Sequence, residues 1–170
     1  MKRDWYVLQT KPRAEKKVAQ WLEFYKYFCH LPLTLHVRKS KTQRRKIKTL
    51  LPLFPGYVFT KLMPDERITM LKTNLIVKTI AVQHPRQMIH QLRQIKNATR
   101  HSPEVKVTHN FQNGELVRIT AGPMRGIEGY VKREGPNATL CINVDILSST
   151  VEVAVSPADL ESVSASQGKA

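Results

Sequence analysis

Residues 50–62 read LLPLFPGYVFTKL, an apolar stretch in which prolines and a glycine precede aromatic and β-branched side chains. Pro52 and Pro55 lack a backbone donor for a sheet, so they confine the beginning of this stretch to an edge or a turn. Gly56 permits a tight turn, and Tyr57 to Leu62 have the composition of a strand. The stretch therefore predicts a turn that leads directly into a strand.

The first residues of the chain predict a strand followed by a helix. Residues 5–10, WYVLQT, form a short aromatic and β-branched run that Lys11 and Pro12 close with a turn. Beyond this turn, apolar side chains recur with helical spacing and basic side chains fall on the other faces, which is typical of an amphipathic helix. The apolar set is Ala14, Val18, Trp21, Leu22 and Tyr25, and the basic set is Arg13, Lys16 and Lys17.

Residues 38–48, RKSKTQRRKIK, carry seven basic groups and no acidic group. A segment of this composition cannot bury enough apolar surface to pack, so we expect a mobile loop or a hairpin arm. The sequence gives equal support to a solvated segment and to a segment that contacts DNA or RNA.

Downstream of the opening stretch, the pattern continues as helix, strand and helix. Residues 64–71 suit a short helix, residues 75–82 suit a strand, and Pro85 fits the first turn of another helix. The apolar face of that last helix would contain Met88, Ile89, Leu92 and Ile95. Together with the upstream elements, these predict an α+β domain over residues 1–100.

From Gly114 onward the chain has the pattern of a small all-β domain. Residues 98–113 show no periodicity and contain Ser102-Pro103, which indicates a linker at 101–112. Short strands follow between glycine- and proline-containing turns, at residues 116–120, 129–132, 140–146 and 151–155. Strands this short predict a small closed β-barrel over residues 113–163, and residues 164–170 are expected to be a disordered tail.

The net charge of +15 is confined to the first part of the chain. Residues 111–170 hold five Lys and Arg against seven Asp and Glu, a sum of −2, which leaves 23 basic and 6 acidic groups, or +17, in residues 1–110. An excess of that size attracts polyanions, so nucleic acid or an acidic surface is the expected partner of the first domain. Because the barrel is not basic, we expect it to bind protein instead of RNA.

The sequence contains no catalytic constellation. Its six histidines show no metal-ligand spacing, and residues 1–110 lack the clustered carboxylates that a metal-dependent nuclease needs. Phosphate-binding glycine loops and nucleophile elbows are also missing from the sequence. We therefore expect a non-enzymatic protein that binds neither a cofactor nor a metal.

The cysteines and the hydropathy indicate the compartment. Cys29 and Cys141 form neither a pair motif nor a disulfide framework, and both lie in apolar surroundings, so they are expected to be reduced and buried. No segment resembles a membrane span, and the first residues do not resemble a signal peptide. We expect a cytoplasmic protein without a membrane partner.

Three segments of the chain together resemble the NusG family of transcription elongation factors. They are WYVLQTKP at 5–12, LFPGYVF at 53–59 and GELVRITAGPMRGIEGYVKREG at 114–135. The first two are similar to the N-terminal (NGN) domain of the family, an α/β sandwich, and the third is similar to its KOW motif, which lies in a small SH3-like β-barrel. The LFPGYVF segment is fairly specific by itself, whereas a KOW segment also occurs in ribosomal proteins.

This resemblance implies a monomeric protein that binds the clamp of the largest RNA polymerase subunit through an apolar surface of its first domain and suppresses pausing. The exposed cluster would contain Tyr57 and Phe59, with Val7, Gln9, Phe54 and Pro55 nearby, and aromatic anchors of this kind often dominate the energy of an interface. The alternative is that these aromatic residues belong to the ordinary core. Strand alternation places Tyr57 and Phe59 on one face and Val58 on the other.

The resemblance also implies contact with DNA. In specialised members of the RfaH type, residues at the positions of Lys11, Arg13 and Lys17 touch the non-template DNA strand, and phosphate contacts of this kind add affinity and salt dependence. Arg44 and Arg45 in the basic run are further candidates. Trp21 could stack on a flipped base, but a place in the core of the helix is the favoured interpretation.

The KOW turn departs from the pattern of housekeeping members. Those members carry a phenylalanine-rich turn that contacts the termination factor Rho and a ribosomal protein, whereas this chain reads GPMRGI at 122–127. The departure suggests a specialised paralogue that antiterminates selected operons and recruits Rho weakly, with Met124, Arg125 and Ile127 as its protein-binding residues. The alternative is that methionine and isoleucine fill the same contact adequately.

Three functional classes follow from the sequence. The leading hypothesis is a polymerase-bound elongation or antitermination factor. The second is a ribosomal or general RNA-binding KOW protein, which the charge of −2 in residues 111–170 disfavours. The third, a small nuclease, is disfavoured by the missing carboxylate cluster.

Overall fold

The computed structural model describes residues 2–39, 46–102, 105–109 and 114–163. Two compact units make up the chain, Met1–Pro85 and Arg86–Ala170. The predicted tail at 164–170 and the tip of the basic run at 40–45 lie outside the described residues.

The first unit contains a four-stranded antiparallel sheet with two helices. The strands are arranged in the order β2-β5-β1-β6, and β3 and β4 form a separate two-stranded ribbon. The elements are β1 Asp4–Thr10, α1 Glu15–Phe24, β2 Phe28–His30, β3 Leu33–Lys39, β4 Lys46–Pro52, β5 Tyr57–Leu62, α2 Pro64–Leu71 and β6 Ile76–Ala81. The strand predicted at 57–62 and the helix predicted at 64–71 are thus confirmed, and α1 lies within the helical pattern that runs from Ala14 to Tyr25.

One face of this sheet carries the core of the first unit. Alternation along β1 and β5 directs Leu8, Val58 and Leu62 to the side of α1, whose Val18 and Leu22 are fully buried. Met70 of α2 and Ile76 of β6 complete the cluster. Burial of these side chains is the main stabilising contribution of the unit.

The ribbon of β3 and β4 is the hairpin arm that the basic run predicted as one of two alternatives. Seven residue pairs join the strands, from Leu33 opposite Pro52 to Lys39 opposite Lys46. The backbone N–H of Leu53 donates to the carbonyl of Pro32 at 2.8 Å and closes the base of the ribbon.

The second unit contains an antiparallel six-stranded sheet in the order β12-β8-β9-β10-β11-β7. Its elements are α3 Pro85–His101, which begins at the unit boundary, β7 Val105–Thr108, β8 Leu116–Ile119, β9 Glu128–Glu134, β10 Asn137–Val144, β11 Ser149–Val155 and β12 Leu160–Ser162. Leu140, Ile142 and Val144 of β10 are buried as the predicted strand required, and Cys141 is buried as well. The predicted SH3-like barrel is compatible with this strand order.

The stretch predicted as a linker contains a strand. β7 pairs with β11, and Val105 and Val107 lie opposite Val153 and Val151. The two valines alternate with Lys106, but four residues are too few for this period to stand out beside Ser102-Pro103. Residues 105–108 thus differ from the sequence expectation of irregular structure.

A row of glutamines joins α3 to the sheet of the second unit. Gln91 accepts a hydrogen bond from the backbone N–H of Asp145 at 3.3 Å and donates to its carboxylate at 2.7 Å. Gln87 donates to the same carboxylate, and Gln94 accepts from the backbone N–H of Glu128 at 3.3 Å. Side chains that are three or four residues apart lie on one helix face, so all three glutamines bond to the second unit from the same face of α3.

Among the described helices, none is long and apolar enough to cross a membrane.

Candidate functional site

The turn between β4 and β5 is held by a buried carboxylate. Gly56 has a φ of +85°, a left-handed conformation that favours glycine. Its backbone N–H donates to Glu15 Oε1 at 2.7 Å, and its carbonyl accepts from the N–H of Thr10 at 2.8 Å. Glu15 is only 6% exposed, so α1 and β1 together fix the position of the turn.

The structure brings together the residues predicted to bind polymerase but buries half of them. Val7 and Phe59 are opposite one another in β1 and β5, and the ring of Phe54 contacts Phe59 edge to face at a centroid distance of 6.2 Å. Val7 and Phe59 are 0% exposed and Phe54 is 2% exposed. The expected exposure of these three side chains is therefore wrong, because burial depends on what covers the face of the sheet, and the rings of His30 and Phe54 both lie 6.2 Å from that of Phe59.

The accessible part of this site is the rim around the turn. Pro55 is exposed, while Gln9 and Tyr57 are half-buried and lie opposite one another in the β1–β5 register. The predicted division of faces is confirmed, since Val58 belongs to the helix-side core and Phe59 does not. We call Gln9, Pro55 and Tyr57 the turn rim.

Three of the predicted DNA-binding cations lie around the start of α1. Lys11, Arg13 and Lys17 are all exposed, and Arg13 has a φ of +62° in the loop between β1 and α1. Lys11 Nζ donates to Asn74 Oδ1 at 3.0 Å, a neutral acceptor that does not compensate its charge. Arg44 and Arg45 lie outside the described residues, so their placement stays a prediction.

The outer face of α1 is aromatic, which the sequence interpretation missed. Trp21 is 36% exposed and Phe24 is 73% exposed, so the prediction that Trp21 belongs to the core is wrong. Val18 and Leu22 belong to the buried stripe, Trp21 lies at the edge of that stripe, and Phe24 lies on the outer side of the helix. With Lys17 and Gln20 they line an open surface cavity of about 380 Å³.

Further rings extend this aromatic face beyond the end of α1. Tyr25 stacks on Trp21 with a centroid distance of 5.8 Å and on Tyr27 with a distance of 5.5 Å. Phe24 contacts Trp21 edge to face at 5.7 Å. We call Trp21, Phe24, Tyr25 and Tyr27 the α1 aromatic cluster; exposed rings of this kind, next to cations, suit stacking on planar ligands.

The KOW turn presents fewer contact residues than the sequence predicted. Gly122 and Gly126 have φ values of +75° and +87°, so both glycines suit the tight turn. Arg125 is exposed and Met124 is half-buried, but Ile127 is 2% exposed and belongs to the core of the sheet. Ile127 thus lies beneath the surface of the turn, since the N–H of Gly126 donates to the carbonyl of Ile119 and draws this end of the turn onto β8. Its contact with a partner protein stays a prediction.

Both cysteines of the chain lie in the described residues and are at least partly shielded from solvent. Burial raises the pKa of Cys29 and that of Cys141 to about 11, so both are protonated thiols near neutral pH. Across the described ranges of the chain, no three His, Cys, Asp or Glu side chains are grouped to hold a metal ion.

One buried carboxylate has a lowered pKa for a structural reason. Arg3 Nε donates to Glu66 Oε2 at 2.9 Å, and the N–H of Met63 donates to the same oxygen at 2.8 Å. The Arg3 hydrogen bond is the larger cause of the lowered pKa of Glu66. Glu66 therefore ties the N-terminal strand to the first turn of α2.

Comparisons with known proteins give the following matches. Residues 3–101, more than half of the chain, match the family model described as "NusG: Transcription termination factor nusG". Among solved structures, the chain is similar to one titled "Domain interaction in Thermotoga maritima NusG", with 20% sequence identity and a TM-score of 0.48. That match covers 96% of this chain and 99% of the other.

Proposed function

The chain belongs to the NusG family of transcription factors, and from this premise we propose that it binds RNA polymerase through its first unit and suppresses pausing or termination. The observation that supports this proposal best is the turn rim. Glu15 and Thr10 hold the backbone of the turn, so less conformational entropy is lost when Gln9, Pro55 and Tyr57 bind a partner. The partner that we propose is the clamp of the largest polymerase subunit.

The buried residues next to the rim then have a supporting role. Val7 lies opposite Phe59, the ring of Phe54 contacts Phe59, and the backbone N–H of Tyr57 donates to the carbonyl of Phe54 at 3.2 Å. A half-buried tyrosine offers a large rigid area and a polar end, which is typical of residues that dominate binding energy.

The proposal is tested by in vitro transcription with purified polymerase and Tyr57→Ala. We expect the variant to lose about 2 kcal/mol of binding free energy, which would restore pausing at a given protein concentration. Tyr130→Ala is the matched control, because Tyr130 is a half-buried tyrosine of the second unit. Unchanged pausing with Tyr57→Ala would refute the proposed docking surface.

We further propose that α1 lies along the non-template DNA strand. Lys11, Arg13 and Lys17 would contact phosphates, and Trp21 and Phe24 would stack on exposed bases. The exposure of all three cations and of Trp21, Phe24 and Tyr25 supports this orientation.

The finer role that we propose is antitermination at selected operons by a specialised, RfaH-like paralogue. The reduced KOW turn supports it, since Met124 and Arg125 are accessible and neither is aromatic, whereas housekeeping members present aromatic anchors. A ribosomal protein is a further candidate partner for this turn. A pull-down in which Rho binds as tightly as it does to a housekeeping member would refute weak Rho recruitment.

The competing function is a ribosomal or general RNA-binding KOW protein. Residues 111–170 sum to −2, and a domain that grips RNA phosphates should be basic. Tight binding of structured RNA at physiological salt, lost when Lys132 and Arg133 of β9 are replaced, would favour this alternative.

A further inference from the structure

The ribbon of β3 and β4 presents an aliphatic face to solvent. Residues directly opposite one another in an antiparallel pair project from the same face. The register places Leu33 opposite Pro52, Leu35 opposite Leu50 and Val37 opposite Lys48. The exposed fractions of Leu33, Leu35, Val37 and Leu50 are 37%, 45%, 46% and 50%.

The opposite face of the ribbon has a different composition. It carries Thr34, His36, Arg38, Ile47, Thr49 and Leu51. Only Ile47 and Leu51 of these six side chains are aliphatic, and Thr49 separates them along β4. The two faces therefore differ enough for a partner to distinguish them.

Cations border the aliphatic face on the side of the ribbon tip. Lys48 lies opposite Val37 on the same face, and Lys46, two residues before Lys48, is the first residue of β4. Both are exposed, and neither strand contains an acidic residue. A complementary surface would be apolar at its centre and acidic at one border.

Contacts near its base hold the ribbon in place. Besides the closing bond from Leu53 to Pro32, Lys16 Nζ of α1 donates to the carbonyl of Leu50 at 2.7 Å. A two-stranded ribbon is marginally stable in water without a covered face. Four exposed aliphatic side chains on one face are therefore better explained by a surface that covers them on binding than by solvent.

We propose that this aliphatic face docks on a protein surface of the transcribing polymerase complex, a surface with an apolar centre and an acidic border. This proposal rests on the proposed function, because it assumes that the first unit binds polymerase. It adds a second contact with polymerase, separate from the turn rim. Nucleic acid would satisfy Lys46 and Lys48 but offers no aliphatic surface for Leu35 and Leu50. A second copy of this chain would bring together two first units of the same strong positive charge.

The test is the affinity of the full-length protein for purified polymerase without nucleic acid. We expect the double variant Leu35→Ser with Leu50→Ser to bind about tenfold more weakly than the wild type. The matched control is Ile47→Ser with Leu51→Ser, which removes aliphatic side chains of similar exposure from the opposite face. The control variant should bind like the wild type.

A second variant keeps the aliphatic face intact. Lys46→Glu with Lys48→Glu should also weaken binding, and its effect should shrink as salt is raised, because an acidic border is screened. If the leucine double variant does not fold, as shown by a circular dichroism spectrum that differs from that of the wild type, the lysine variant tests the ribbon proposal instead.

The outcomes separate this proposal from the function it rests on. Equal affinity of the leucine variant and the wild type, or an equal loss in the opposite-face control, would overturn the ribbon proposal. A leucine variant that loses affinity for forked DNA and keeps its affinity for polymerase would overturn it as well. If Tyr57→Ala loses binding and the ribbon variants bind fully, the ribbon proposal alone is overturned. If the wild type does not bind polymerase, the proposed function is refuted.

Discussion

Tyr57 and Phe59 show what strand alternation can predict about single residues. Their shared face followed directly from the period of two. Their exposure did not, because burial depends on which side chains pack on that face, and His30 and Phe54 lie against Phe59 while Tyr57 stays half-buried. The same limit explains why Trp21 is exposed although it was predicted to be buried. The predicted stripe contained five apolar residues, but only part of that set is covered by the sheet.

At the same scale, the ion pair of Arg3 and Glu66 predicts a pH dependence of stability. Glu66 has a lowered pKa in the folded protein, so its stabilising contribution is full above the ordinary carboxyl pKa and is lost as the pH falls through the folded pKa. Arg3→Ala should remove most of this contribution. The stability difference between wild type and variant should therefore be largest near neutral pH and vanish at low pH.

The measurement is urea unfolding of wild type and Arg3→Ala at several pH values between about 7 and 3. Lys2→Ala is the control, because Lys2 is an exposed cation next to Arg3 in the sequence. A difference that stays constant over this pH range would show that the Glu66 carboxyl does not depend on Arg3.

Among the elements, α1 combines three roles on two faces, since Glu15 shares the buried face of Val18 and Leu22. Val18 and Leu22 bury it under the sheet, Glu15 holds the turn of Gly56, and Trp21 and Phe24 face solvent. The sequence predicted the helix and its basic flank from periodicity. It could not predict the glutamate contact, because residues 15 and 56 are distant in the sequence and no local pattern links them.

The outer face of α1 predicts two separable effects on the binding of single-stranded DNA. Lys17→Ala should lower the slope of log affinity against log salt by about one unit, since one phosphate contact is lost. Trp21→Ala and Phe24→Ala should each cost about 1–3 kcal/mol of binding free energy and leave the slope unchanged. Fluorescence anisotropy over a salt series measures both quantities.

The control for this series is Ile68→Ala on α2, which removes an exposed apolar side chain of another element. If the aromatic variants bind DNA like this control, the α1 aromatic cluster is not a stacking surface. If they change the salt slope, the rings act by positioning Lys17.

For the whole molecule, the sequence predicted two parts with different charge, and the structure divides the chain into two compact units. The position of the division was harder to predict. α3 follows the strands of the first unit and falls within the matched family segment, yet its residues from Arg86 onward group with the second unit. The glutamine row that makes this connection carries no periodic apolar signal, so no pattern in the sequence indicated it.

The contact between Gln91 and Asp145 therefore decides how firmly α3 belongs to the second unit. Gln91 donates to the carboxylate of Asp145 and accepts from its backbone N–H, and Asp145 itself is exposed. A double-mutant cycle with Gln91→Ala and Asp145→Ala should give a coupling free energy of about 0.5–1.5 kcal/mol in urea unfolding. Pairing Lys96→Ala, on the exposed side of α3, with Asp145→Ala should give none. If the first cycle also gives none, the row does not join the helix to the sheet in solution, and the grouping of α3 must then depend on its buried residues Met88, Leu92 and Ile95.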